Sequence, residues 1–128
     1  MSEINENDPL TYSVIGAAIE VHREMGPGLL ESIYQKCMEM ELRLRGLDFK
    51  AQARLPLVYK GIPLDADELK MDIYFPNQLV VELKAVEKLL PVHEAQLLTY
   101  LRLGKTHVGL LIDSNVPVLK DGLKRMVH

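Results

Sequence analysis

Two carboxylates and a lysine are the residues whose types and spacing could do chemistry. They are Asp72, Glu82 and Lys84. The stretch around them, residues 70–85, has two runs rich in branched and aromatic residues on either side of a Pro-Asn-Gln loop centred on Asn77. Such runs joined by turn-forming residues predict a β-hairpin.

The register of this hairpin decides what the charged residues can do. A turn centred on Asn77 makes every pair on one face apolar: Phe75 with Leu79, Ile73 with Val81, and Met71 with Leu83. That face is predicted to pack on the core. The opposite face sets Asp72 against Glu82, with Cβ atoms roughly 5 Å apart. Carboxylates this close either share a proton, each raising the other's pKa, or bind a cation.

A divalent cation would resolve this repulsion. Mg²⁺ takes one or two carboxylates together with water and phosphate oxygens. Lys84 lies on the same face as Glu82, where its amine would orient water or contact a phosphate. The trio therefore indicates hydrolysis at a metal site. A second interpretation stays open, because a register slipped by two residues sets Asp72 opposite Lys84 as an ordinary cross-strand ion pair.

Four ordered stretches together resemble a known family. They are Asp72 with the Glu-x-Lys triplet of residues 82–84, the Gly-x-x-Glu-x-x-Tyr pattern of residues 28–34, residues 81–87 and residues 91–100. They resemble the PD-(D/E)XK nuclease superfamily and, within it, the branch called GxxExxY proteins. The resemblance covers roughly residues 12–127. Met71 stands where the superfamily's label implies a proline, at a position that supplies no ligand.

This resemblance implies a nuclease that hydrolyses phosphodiester bonds in nucleic acid and uses Mg²⁺ or Mn²⁺. DNA is the expected substrate. Asp72 and Glu82 would be metal ligands, and Lys84 would position the attacking water. Glu31 would be the accessory acid, and hence a third ligand, that completes or buttresses the site. Its alternative role is helix-end electrostatics, because it falls in the first turn of a predicted helix.

Four further residues are candidates for substrate binding. His93, Gln96 and Tyr100 follow one another at spacings of three and four, so they form one stripe of a predicted helix. The stripe offers donors suited to phosphate or base contacts, and the alternative is a plain polar face. The Gln96 and Tyr100 pair also resembles a motif of RecB-like nucleases. Tyr34 is either a substrate contact or a core residue with its hydroxyl tied to a neighbour.

Three predicted helices would position these residues. Asp8 as N-cap and Pro9 predict a helix to about Met25, and a second helix follows Gly28. The second helix ends before Gly46, and its predicted apolar stripe is Leu30, Ile33, Cys37, Met40 and Leu44. A third helix is predicted from Pro91 to about Leu103, closed by Gly104.

The remaining segments predict strands. They are residues 51–59, a tight turn into residues 62–64, a buried strand at 107–113 and an edge strand at 122–127. A helix between the strand of Glu82 and the strand at 107–113 implies that these two are parallel. The predicted fold is an α/β, restriction-endonuclease-like α/β/α architecture with a mixed β-sheet sandwiched by helices.

Composition limits the possible functions. The 128 residues predict a disordered leader over residues 1–8 and one domain over residues 9–128. The single cysteine excludes a disulfide framework, and the absence of a membrane span or signal pattern favours the cytoplasm.

The net charge of −3 predicts that binding to nucleic acid is weak or salt-dependent. It also favours an alternative function, a catalytically weak or inactive nuclease-fold module for binding or regulation. Homo-oligomerisation stays open.

Overall fold

The structure is a computed structural model that describes residues 8–128. The predicted leader therefore lies outside the described residues except for Asp8, which caps the first helix, α1 (Pro9–Met25). Its carboxylate accepts hydrogen bonds from the N–H of Thr11 at 3.2 Å and from the Thr11 hydroxyl at 2.6 Å. This N-cap and the proline after it confirm the predicted start of the helix.

The other elements follow in chain order: α2 (Glu31–Leu44), β1 (Lys50–Arg54), β2 (Leu57–Tyr59), β3 (Ile62–Leu64), β4 (Lys70–Phe75), β5 (Leu79–Lys84), α3 (Pro91–Gly104), β6 (Val108–Asp113) and β7 (Leu123–Val127). The main sheet has the strand order β1-β4-β5-β6-β7. Strands β5 and β6 are parallel and the other neighbours are antiparallel. The predicted mixed sheet is confirmed. No helix in the described part is long and apolar enough to cross a membrane.

Two apolar layers hold the sheet between the helices. Helices α1 and α2 pack on one face, against side chains such as Ile73, Val81 and Leu110. Helix α3 packs on the other face, where Leu97 and Leu101 contact a cluster that includes Val80 and Leu111. This arrangement confirms the α/β sandwich with a mixed sheet.

The β4–β5 hairpin has the predicted register near its turn and departs from it beyond. Asn77 has a φ of 64°, and the paired residues are Phe75 with Leu79, Tyr74 with Val80 and Ile73 with Val81. The prediction that Met71 shares the face of Ile73 is wrong, because Met71 packs in the α3 layer. The alternation of side chains between the two faces of β4 is interrupted at Asp72. There the strands are joined by hydrogen bonds to the carboxylates of Asp72 and Glu82 instead of backbone pairs.

The predicted packing stripe of α2 is also wrong. Four of its five members are exposed, namely Leu30, Ile33, Met40 and Leu44, and only Cys37 packs partly on the core. The buried residues of α2 are Tyr34, Gln35, Met38 and Leu42. Two neighbouring rows of apolar residues run along this helix at helical spacing, and packing against α1 and the sheet selects the second row.

The strand predicted over residues 51–59 is two strands. β1 joins the main sheet, whereas β2 pairs with β3 in a separate two-stranded sheet. Pro56 lies between them and has no N–H for a ladder, which explains the break. The predicted turn at Lys60 and Gly61 is confirmed, with φ values of 50° and 79°.

Candidate active site

Asp72 and Glu82 meet where β4 and β5 separate. The N–H of Asp72 donates to Oε2 of Glu82 at 2.9 Å, and the N–H of Leu83 donates to Oδ2 of Asp72 at 2.7 Å. Each carboxylate is thus fixed by the backbone of the opposite strand. Glu82 is only 4% exposed, whereas Asp72 is half-buried. The predicted juxtaposition of the two acids is therefore present, with side chains bridging the strands.

Burial makes the charged forms of both acids costly. Burial, followed by the negative charge of Asp72, raises the pKa of Glu82 to about 8. Burial also raises the pKa of Asp72, while hydrogen bonds from Leu83 and Gln52 act to lower it. Two adjacent carboxylates that both resist ionisation fit a divalent cation, whose charge would remove the repulsion between them. The donor set at this site therefore suits Mg²⁺ or Mn²⁺.

Lys84 lies beside the two carboxylates without forming an ion pair with either. Its charge lowers the pKa of Asp72 and of Glu82. Its Nζ instead donates to Oε1 of Gln96 at 2.9 Å, and none of the ion pairs among residues 8–128 includes it. Together with the register at Ile73 and Val81, this contact excludes the slipped hairpin in which Lys84 faces Asp72 as a counter-ion.

Comparison with known protein families matches residues 8–126 to the PD-(D/E)XK nuclease superfamily. The chain belongs to this superfamily. Neither the curated proteins nor the solved structures gave a match. PD-(D/E)XK nucleases act on nucleic acid and generally use divalent metal ions. Assignment to the GxxExxY branch stays a prediction.

Glu31 stands at the rim of the candidate site. It is the first residue of α2 and remains exposed. Partial burial and the charge of Asp72 raise its pKa, whereas the charge of Lys84 and a hydrogen bond from the N–H of Ala85 lower it. No group of three or more His, Cys, Asp or Glu side chains in the described residues is arranged to hold a metal ion. Asp72 and Glu82 are joined through backbone N–H groups, and among the described residues Glu31 lies nearby without completing a preformed set of three ligands.

Two glutamines that the sequence reasoning missed support Asp72. Gln35 donates through Nε2 to the carbonyl of Asp72 at 2.8 Å, and Gln52 donates through Nε2 to its Oδ1 at 3.2 Å. Gln35 lies four residues after Glu31, so helical spacing placed it on the same face of α2. Finding Gln52 required the β1–β4 register. Both glutamines line a groove of about 510 Å³, together with Glu31, Ser32, Lys36, Glu39 and Asp72.

The predicted stripe on α3 divides into two roles. Gln96 links Lys84 to Tyr100, since its Nε2 donates to the Tyr100 hydroxyl at 3.1 Å. Burial, followed by the charge of Glu82, raises the pKa of Tyr100, which is 6% exposed. His93 instead lies at the start of the helix, where its Nδ1 accepts the N–H of Leu90 at 2.9 Å. It lies near enough to Glu31 that a positive charge on its ring would lower the pKa of that carboxyl.

Tyr34 does not join the site. It is 1% exposed and belongs to the core layer of α1 and α2. Its hydroxyl donates to the carbonyl of Ala18 at 3.4 Å, and burial raises its pKa. Two roles are open for Tyr34 from its sequence context. Its burial and its contacts favour core packing and argue against a substrate contact.

Proposed function

We propose that this protein is a metal-dependent nuclease that hydrolyses phosphodiester bonds in DNA, with Mg²⁺ or Mn²⁺, and that it belongs to the GxxExxY branch of the superfamily. One observation carries the proposal: the buried carboxylate of Glu82 and the half-buried carboxylate of Asp72 meet between β4 and β5, past the end of their ladder, with Lys84 alongside. Burial of like charges side by side costs stability, and a bound cation would offset that cost.

Asp72 and Glu82 would hold the ion. A divalent cation supplies Lewis acidity there, because it lowers the pKa of water and offsets the charge that develops on the phosphate. Glu31 lies near this pair, because the charge of Asp72 raises its pKa, and its own charge would add to the attraction for a cation. Gln35 and Gln52 fix the backbone and the carboxylate of Asp72 in the orientation that faces Glu82.

Lys84 positions the water that attacks phosphorus. An ammonium group has three donors, and Gln96 accepts one of them. The other two are available to the water and to a non-bridging phosphate oxygen. Gln96 restrains Lys84 because its amide is itself held by Tyr100. The Tyr100 hydroxyl accepts from Gln96 and keeps its own proton to donate to the phosphate backbone.

His93 and the groove beside Asp72 complete the substrate contacts. His93 lies close to Glu31 at the N-terminus of α3, where the partial positive charge of a helix end favours a phosphate. The groove wall carries Glu31 and Glu39 with one lysine, Lys36. This acidic lining and the net charge of −3 favour weak, salt-dependent binding of nucleic acid.

The alternative function is a binding or regulatory module with little or no cleavage. The same net charge favours it, and so does the lack of a preformed three-ligand set among the described residues. The two functions differ in one respect that can be measured: whether phosphodiester bonds are broken when a divalent cation is supplied.

A cleavage assay distinguishes the two. Single-stranded DNA, double-stranded DNA and RNA of one sequence are incubated with the protein and Mg²⁺, Mn²⁺ or a chelator. We expect metal-dependent cleavage of DNA that Asp72→Asn and Lys84→Ala each reduce by at least about 100-fold. Lys88→Ala is the matched control, because Lys88 is an exposed lysine close to Lys84 in sequence. Undiminished cleavage by either active-site variant would overturn the assignment, and intact substrates under all conditions would favour the module.

A further inference from the structure

The end of β6 holds the backbone on both sides of Ala85. Lys84 and Asp113 are partners in the parallel β5–β6 ladder, each the last residue of its strand. Oδ1 of Asp113 accepts the N–H of Val86 at 3.1 Å. The next residue, Ser114, donates its N–H to the carbonyl of Lys84 at 2.9 Å and its hydroxyl to the same oxygen at 3.4 Å. The chain leaving β5 is therefore fixed immediately after Lys84.

Asp113 is buried at a cost that its own contacts do not offset. It is fully buried, and among residues 8–128 its Oδ2 has no hydrogen-bond partner. Its Oδ1 accepts both of the hydrogen bonds to this carboxylate, since it accepts the N–H of Asn115 at 3.1 Å in addition to that of Val86. Gly122 closes over it so tightly that an added Cβ would collide with the Asp113 carbonyl. A buried carboxylate with an unsatisfied oxygen is destabilising. This cost suggests that Asp113 has a role in the segment that it contacts.

The segment that Asp113 holds leads to two parts of the candidate site. Lys84 presents its Nζ to Gln96 at 2.9 Å on one side, and on the other the N–H of Ala85 lies near enough to Glu31 to lower the pKa of that carboxyl. A shift of this short turn would therefore move the amine of Lys84 and the N–H of Ala85 together. Misplacement by about 1 Å is enough to lower a catalytic rate by about 100-fold.

We propose that Asp113 is a positioning residue, which acts on the reaction through the backbone of residues 84–86. This inference rests on the proposed nuclease function for its kinetic consequences, whereas the clamp itself is a property of the fold. The carboxylate acts as a double acceptor for backbone N–H groups, and its negative charge has no part in the role. An asparagine would supply the same acceptor oxygen.

The kinetic test compares Asp113→Ala with Asp113→Asn in metal-dependent DNA cleavage. We expect D113A to lower kcat by about 10- to 100-fold with little change in KM, because the lysine is misplaced and the binding surface is not. D113N should stay within about threefold of the wild type, since its Oδ1 still accepts both N–H groups. Asp121→Ala is the control, because Asp121 is exposed in a short 3-10 helix, Leu119–Gly122, which precedes β7. Equal losses in D113A and D113N would overturn the proposal.

A double variant shows whether Asp113 acts through Lys84. If it does, D113A combined with Lys84→Ala cleaves no more slowly than K84A alone, because the lysine that the clamp positions is already gone. Additive losses would mean that Asp113 acts only on general stability, and they would overturn the proposal. If D113A does not fold, Asp113→Ser replaces it, because a serine hydroxyl is too short to reach the position of Oδ1.

Amide hydrogen exchange tests the clamp without any cleavage. D113A should speed exchange of the Val86 and Asn115 amides, which the carboxylate accepts, by at least about tenfold relative to the wild type, while D113N leaves them protected. Unchanged exchange in D113A would overturn the clamp even if the protein is a nuclease. A protein that cleaves nothing, yet shows this pattern of exchange, would contradict the proposed function and support the clamp.

Discussion

The N–H of Leu83 donates to a side-chain oxygen of Asp72, at 2.7 Å, at a point where a regular hairpin would offer a backbone carbonyl. The reciprocal contact joins the N–H of Asp72 to the carboxylate of Glu82 at 2.9 Å. Strands β4 and β5 thus remain linked after their ladder ends, but through the two carboxylates that the proposed reaction would use. Burial in the sheet therefore makes the charged forms of both acids less favourable.

The first prediction concerns pH and stability without metal. The folded-state pKa of Glu82, about 8, lies above its ordinary value of 4.5, so the folded protein holds this proton more tightly than the unfolded chain. Its contribution to stability is complete below pH 4.5 and is lost as the pH rises through 8. The free energy of unfolding should therefore fall across this window, by up to about 5 kcal/mol.

Glu82→Gln isolates this effect. Its amide cannot ionise, and its oxygen can still accept the N–H of Asp72, so the fall in stability should be largely removed. Urea unfolding in chelator from pH 5 to pH 8 measures the difference, with the exposed Glu87→Gln as control. If the free energy of unfolding depended on pH in the same way in wild type and E82Q, Glu82 would not be the group whose pKa is raised by folding.

The second prediction concerns the chain of contacts from Lys84 through Gln96 to Tyr100. Gln96→Ala should lower kcat by about tenfold, since it removes the restraint on the lysine. Tyr100→Phe should have a smaller effect in the same direction, because only the hydroxyl is lost. Tyr59→Phe is the control for the loss of a phenol, since Tyr59 is 60% exposed on the separate β2–β3 hairpin.

A double-mutant cycle decides whether the Lys84–Gln96 contact matters. Once Lys84→Ala is present, Gln96→Ala should have little further effect on cleavage. Full additivity of the two changes would mean that Gln96 serves the reaction by some route other than the lysine.

The third prediction assigns Tyr34 to the core. Tyr34→Phe should leave the kcat and KM of cleavage unchanged, because the hydroxyl contacts only the carbonyl of Ala18 among the described residues, at 3.4 Å. The free energy of unfolding should fall by no more than about 1 kcal/mol. A large rise in KM with unchanged stability would restore the substrate contact that the sequence allowed.

The fourth prediction uses two glycines with opposite surroundings. Gly109→Ala should destabilise the protein by about 1–3 kcal/mol, because its Cβ would lie 2.9 Å from Cδ1 of the buried Leu97 and would push α3 from the sheet. Gly16→Ala should stabilise it by up to about 1 kcal/mol, since Gly16 lies inside α1 and its Cβ would meet only the flexible end of Arg45. Thermal unfolding of both variants checks the contrast, and a stabilising G109A would contradict the packing of α3.

The hairpin and its acids could be predicted from sequence because the signals there are local. Alternating apolar residues around Asn77 fix the register, and the same register, continued past the last pair Ile73 and Val81, sets Asp72 opposite Glu82. The departure at Met71 could not be predicted in this way. It depends on Gln52 and Leu83, which lie in other strands and contact Asp72 only after the sheet has formed.

The wrong packing stripe on α2 and the role of Asp113, which the sequence did not indicate, have a different physical origin. Two adjacent apolar rows on α2 satisfy the same periodicity, and tertiary packing chose the row of Tyr34 and Met38 over the row of Ile33 and Met40. Asp113 ends a buried strand and gives no pattern in sequence, because its partners are backbone N–H groups. The spacing of residues in the sequence shows which side chains share a face of one helix or strand. It does not show which groups the backbone of a turn contacts.

Metal binding tests the central claim most directly. Mn²⁺ is titrated calorimetrically into the metal-free protein at pH 7.5, and the same titration is made with Asp72→Asn, Glu82→Gln and the control Asp65→Asn, whose side chain is 95% exposed. We predict a single site for the wild type and for D65N, and at least a tenfold weaker site in D72N and E82Q. No site in the wild type, or an undiminished site in both active-site variants, would contradict the account.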